Sequence, residues 1–179
     1  DETLALWIDP APRSSDCRAA LDALETRAAA RSALPTSAVW ERIHAAMAAN
    51  RPSAATSVLH HLSTRDRRPV EGWIGALDDP VRHLAGGALD ADTLINRRII
   101  ADLVLRWSRE DTVAAVDYWQ GARSRFSFSD ELRHDTGRAL VMRGAWRRLP
   151  EAQAWLDGFE AREGDLELGE WRVRTALLA

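Results

Sequence analysis

Apolar residues recur at helical spacing from one end of this chain to the other, and no stretch alternates convincingly with period two. Stripes at i, i+3, i+4 and i+7 face one side of an α-helix, whereas a half-buried strand needs alternation, so the chain can bury a core only by packing helices. Cys17, Ala20, Leu21, Leu24 and Ala28 trace a first stripe. Pro35 breaks it, and Thr36 or Ser37 is placed to cap a helix burying Val39, Trp40, Ile43, Ala46 and Met47. Pro52 and Ser53 open the next, with Val58, Leu59 and Leu62 inward. Pro69 and Pro80 read as first-turn prolines of two short helices, one with Val70, Trp73, Ile74 and Leu77, the other around Val81 to Leu84 and ended by Gly86-Gly87.

Further along, Asp92 is expected to cap a long helix with Leu94, Ile95, Ile99, Leu103, Val104 and Trp107. Ser108, with Asp111 three residues on, resembles a capping box before Val113, Val116, Tyr118 and Trp119. Ser127 or Ser129 opens a helix with Leu132, Thr136, Ala139 and Leu140. Pro150 opens one with Ala152, Trp155, Leu156 and Phe159, and the last begins near Gly169 with Trp171, Val173, Ala176 and Leu177.

The expected architecture is all-α: an α-solenoid or superhelix of about ten antiparallel helices in hairpin pairs, forming a single domain over 1–179. Tryptophans at 7, 40, 73 and 107 step by 33, 33 and 34 residues, the length of a two-helix repeat. Trp40 falls near a helix start and Trp107 near a helix end, and no other consensus recurs with them, so helical hairpins without sequence repetition explain the pattern better than a true repeat.

The formal net charge is −3, with Arg interleaved among Asp and Glu, which argues against a basic nucleic-acid-binding stripe. The 24 basic residues are all Arg. The lone Cys17 cannot form an internal disulfide or a multi-cysteine zinc site; it reads as a buried small thiol, or as the mate of an upstream cysteine. No apolar run is long enough to span a membrane. The chain starts at Asp1 without Met and stops at Leu177-Leu178-Ala179 inside an apolar pattern, so both ends read as cut and the lack of a signal peptide says nothing about compartment.

Little here carries chemistry. The eight tryptophans could stack on sugars or bases, but Trp40, Trp73, Trp107, Trp119, Trp155 and Trp171 fall on apolar stripes and read as core, leaving Trp7 and Trp146 undetermined. His44, His60, His61, His83 and His134 form no His-x-x-x-His pair, and on a helix the adjacent His60 and His61 diverge by about 100°, so no metal site is expected. Carboxylates sit beside arginines, whereas a glycosidase acid needs apolar surroundings that raise its pKa. Arg67-Arg68, Arg97-Arg98 and Arg147-Arg148 could hold an anion bidentately or be helix-surface charge. No catalytic, metal or cofactor-binding residue is assigned.

Three segments carry a resemblance: Ala38-Val39-Trp40-Glu41-Arg42-Ile43-His44-Ala45-Ala46-Met47; Arg125-Phe126-Ser127-Phe128-Ser129 after Tyr118-Trp119; and Glu170-Trp171-Arg172-Val173-Arg174-Thr175-Ala176-Leu177. In this order and spacing they resemble the N-terminal helical region of soluble lytic murein transglycosylases, from about Cys17 to Ala179. The resemblance implies a periplasmic parent enzyme in which a ring-like superhelix precedes a linker and a lysozyme-like catalytic domain. Such enzymes cleave the MurNAc–GlcNAc bond of peptidoglycan without water, leaving a 1,6-anhydro sugar, through a glutamate in a Glu-Ser motif followed by a Gly-Leu-Met-Gln-type stretch. This chain has no Glu-Ser pair, so no catalytic residue carries over, and the resemblance implies a non-catalytic module that guides glycan strands. The competing expectation is a helical-repeat adaptor for a protein partner on its concave face.

Overall fold

The computed structural model describes residues 2–9, Ala23, Thr26 and 34–178. Cys17 and most of the first expected stripe lie outside these residues. Among the described residues the regular structure is entirely helical: α1 (Glu2–Ile8), α2 (Thr36–Ala48), α3 (Pro52–Thr56), a 3₁₀ turn (Leu59–His61), α4 (Thr64–Gly75), α5 (Pro80–Ala85), α6 (Leu94–Trp107), α7 (Thr112–Arg125), α8 (Asp130–Trp146), α9 (Ala152–Asp157) and α10 (Leu166–Leu178). The chain divides into two compact units, Asp1–Gly75 and Ala76–Ala179.

In the first unit α1 packs on α2 and α2 on α3. Val39, Ile43, Ala46 and Met47 are buried as their spacing predicts, with Val58, Leu59 and Leu62. Trp40 is only half-buried, and the core indoles are Trp7 and Trp73. Neither Thr36 nor Ser37 caps α2: the N-cap is Pro35, and the two hydroxyl residues are the first helical ones. Pro69 does not open its helix either. Ser63 starts α4 earlier, its hydroxyl accepting from the Asp66 N–H at 3.2 Å and donating to the Asp66 carboxylate at 2.7 Å, so Pro69 falls inside the helix.

In the second unit successive helices pack on one another, and α6 on α8 and α8 on α10 as well. Contact with the next helix and with the next but one is how stacked helical hairpins bury a continuous core. The step shows in the hydrogen bonds. Tyr118 donates to the Leu84 carbonyl 34 residues back, Ser127 N–H to Asp92 35 back, and Arg143 to the Leu105 carbonyl 38 back.

The caps differ from expectation for identifiable reasons. Thr93 caps α6, its hydroxyl accepting from Asn96 N–H at 3.2 Å, while Asp92 instead holds Arg97 and Ser127 N–H. Asp111 caps α7, accepting from Ala114 N–H at 3.0 Å; Ser108 ends α6, and its hydroxyl donates to Leu105 O at 2.8 Å. Ser129 caps α8, one of the two expected serines. α9 begins at Ala152 with Glu151 as its N-cap, so Pro150 lies in the preceding turn. α10 begins at Leu166, ahead of Gly169, and its buried face runs through Leu168 and Thr175. Val173 and Leu177 were expected inward but are 60% and 82% exposed, because α10 packs on α8 and α9 from one side. Around α9, Val141, Met142, Ala145, Leu156 and Leu168 form the core, with Trp155, Phe159 and Trp171 partly buried against it.

α8 ends in a Schellman motif: Arg148 is left-handed (φ 54°), its N–H donates to Ala145 O at 2.9 Å, and Leu149 N–H donates to Gly144 O at 3.0 Å. This turn fixes the course of the chain past Arg147.

Candidate functional site

A lyase or hydrolase acid should be a carboxyl whose pKa is raised. The carboxylates that depart from the ordinary range go the other way. Arg97 holds Asp92 down at about 2, with the Ser127 N–H adding to it. Arg138 holds Asp165 at about 2, donating to it at 2.6 and 2.8 Å and to Glu167 at 2.9 Å. Asp165 also accepts from Leu168 N–H in the first turn of α10, so Arg138 fixes where α10 starts.

A depressed carboxylate pKa stabilises the fold above the unfolded value near 3.8 and ceases to do so as pH falls through about 2. Urea midpoints should therefore fall as pH drops from 4 to 2. Asp165→Asn should be less stable than the native chain at pH 7 and lose less over that acid window. Equal slopes for the two proteins would refute the assignment.

The histidines do not converge on a metal. His60 and His61 do not diverge as expected of an α-helix: they lie in the 3₁₀ turn with ring centroids 3.9 Å apart. No group of three or more His, Cys, Asp or Glu side chains able to hold a metal ion occurs among the described residues. Nor is any helix there long and apolar enough to cross a membrane.

The tryptophans separate by burial. Trp7, Trp73 and Trp119 are core, as expected for the last two; Trp40, Trp107, Trp155 and Trp171 are half-buried; Trp146 is 52% exposed. Trp119 packs on Phe128 with ring centroids 4.7 Å apart and planes tilted by 53°, so it fastens α7 to the turn before α8.

The expected arginine pairs also separate. Arg97 is bound to Asp92, and Arg67 donates to the Leu59 and Leu62 carbonyls at 3.2 and 3.4 Å. Arg147 belongs to a different arrangement. At the end of α8, Arg143 donates to Leu105 O at 3.0 Å and Ser108 Oγ at 2.9 Å. Arg147 donates to Arg109 O at 2.7 Å and Thr112 Oγ1 at 3.2 Å. Arg143 thus sits on the carbonyl end of α6, where the helix dipole is negative, and Arg147 on the turn between α6 and α7. Among the described residues, neither forms an ion pair with a carboxylate. The spacing signal was the Arg147-Arg148 pair, but the partner that matters is Arg143, one helical turn back.

No protein-family profile and no curated protein sequence matches this chain. Its fold, however, matches a solved structure, an inactive mutant of the lytic transglycosylase Slt from Pseudomonas aeruginosa. The TM-score is 0.81 over 98% of this chain, at 20% identity. This chain has the fold of part of a lytic transglycosylase. It spans 28% of the length of that Slt chain. The all-α class expected from the apolar spacing is thus found in the described residues, and the fold is one that a solved structure shares.

Proposed function

We propose that the chain is a non-catalytic helical module of a lytic transglycosylase-type protein, and that the parent degrades peptidoglycan in the periplasm. The observation that carries this reading is the fold match to Slt over nearly the whole chain and little more than a quarter of the Slt chain. The three quoted segments support it as well, and because the chain has no Glu-Ser pair no residue of it is assigned the family's catalytic role. In this reading the module is a single helical domain over 1–179 that confines or guides glycan strands beside an active site carried elsewhere in the parent. Purified sacculi incubated with the chain should release no anhydro-muropeptides detectable by mass spectrometry; their appearance would overturn the non-catalytic assignment.

One observation favours a second reading. Leu166, Val173 and Leu177 expose an apolar stripe along α10, beside an open groove of about 610 Å³ that Arg162 and Arg174 also line. An adaptor would dock a protein partner there. Under that reading Val173→Asp with Leu177→Asp abolishes partner binding and leaves the fold intact; a partner held equally well by this variant excludes it.

A further inference from the structure

The arginine arrangement at the end of α8 has features that capping α6 does not explain. Arg143, Trp146 and Arg147 follow at i, i+3 and i+4, so they share one side of the last turn of α8. Arg109 lies in the α6–α7 turn, its backbone carbonyl accepting from Arg147 at 2.7 Å, and its charge is near enough to Arg143 to act on it. Burial, then the like charges of Arg109 and Arg147, hold the Arg143 guanidinium below the usual arginine range. Three cations are therefore gathered at one place. Two spend part of their donors on carbonyls and hydroxyls, and the side chain of Arg109 makes no hydrogen bond or ion pair among the described residues. The turn carries two carboxylates, Glu110, whose carbonyl accepts from Arg147 at 3.4 Å, and Asp111, which accepts from the Ala114 N–H; among the described residues neither forms an ion pair with these arginines. Gathered guanidinium groups without a carboxylate partner are suited to a bidentate oxyanion. Beside them, Trp146 offers a half-exposed indole, and an indole face stacks on the apolar face of a flat ring.

We infer that Trp146 with Arg109, Arg143 and Arg147 forms a binding site for a carboxylate-bearing saccharide, the indole taking the sugar ring and the guanidinium groups the carboxylate. Reading the ligand as a peptide-bearing murein fragment rests on the proposed function; the chemistry of the site does not.

The test is a titration of the 179-residue chain with a purified disaccharide-peptide muropeptide, followed by tryptophan fluorescence and calorimetry. A neutral N-acetylglucosamine oligomer and sodium acetate serve as parallel ligands. The muropeptide should saturate the chain and bind more tightly than either. Arg109→Gln and Trp146→Ala should each weaken it about tenfold or more. Arg147→Gln also removes bonds that hold the α6–α7 turn and the start of α7 to α8; if it fails to fold, Arg109→Gln decides, because its guanidinium holds no other element. Variants that bind as tightly as the native chain overturn the site, as does a neutral oligomer that binds as tightly as the muropeptide, or a native chain that shows no saturation. None of these results touches the family reading, which depends on what the parent gene encodes. Conversely, muropeptide binding lost in both variants keeps the site even if no catalytic domain follows.

Discussion

Leu156→Ala should lower the unfolding free energy by about 2–5 kcal/mol, among the largest losses available to a single substitution in this chain. Leu156 is fully buried on α9, a helix of only six residues. So short a helix is marginal on its own and persists through what it packs against. Its side chain meets Met142 and Ala145 of α8 and Leu168 of α10 in one core. Truncation leaves a cavity at the junction of three helices, and Arg172, which donates to the Leu156 carbonyl at 2.9 Å, ties the same point to α10. Urea unfolding followed by far-ultraviolet circular dichroism measures the change. A loss under about 1 kcal/mol would mean that α9 is not the keystone of the second unit.

Gly144→Ala should also destabilise, against the rule that alanine favours helices. In an exposed helix interior the exchange gains about 1 kcal/mol. At Gly144 the added Cβ would stand 2.8 Å from Cε3 and Cζ3 of the Trp155 indole, so the indole must leave its place against α8 or the two helices must shift apart. Overpacking of that kind costs about 1–3 kcal/mol and outweighs the propensity gain. Gly121, exposed within α7, has nothing within 4 Å of its Cβ position, so Gly121→Ala should stabilise by about 0.5–1 kcal/mol. Opposite signs at the two positions are the expected result. Trp155→Leu should remove most of the Gly144→Ala penalty, a coupling that a double-mutant cycle reads. The same sign at both glycines would contradict the close approach of α8 and α9.

The physics of one helix at a time was legible in the sequence, and the physics between helices much less so. Val39, Ile43, Ala46 and Met47 could be placed inward because a single stripe has a single period. Caps were harder, since neighbouring Ser, Thr and Asp compete for the same position. Thr93 won over Asp92 because Asp92 is drawn away by Arg97 and by Ser127 N–H, a partner 35 residues downstream. On α10 the apolar residues lie on both faces, and only packing decides that Leu168 is covered while Val173 is not. The tryptophan spacing carried a true length without a true phase. Steps of 33 and 34 residues lie close to the 34 to 38 residues joined by hydrogen bonds in the second unit, yet Trp7 ends near a helix terminus and Trp40 lies mid-helix. The arginine group at the end of α8 is half visible in the sequence: the Arg147-Arg148 pair stands out there, whereas Arg109 joins it only through the turn between α6 and α7.

The central claim is that this fold belongs to a peptidoglycan-cleaving parent. The most direct measurement is the coding sequence of the parent gene beyond the Ala179 codon. The expected result is a downstream lysozyme-like segment with a Glu-Ser pair followed by a Gly-Leu-Met-Gln-like stretch. A stop codon at that point, or an unrelated domain, would contradict it and leave a free-standing helical module whose α10 face becomes the leading place to look for a partner.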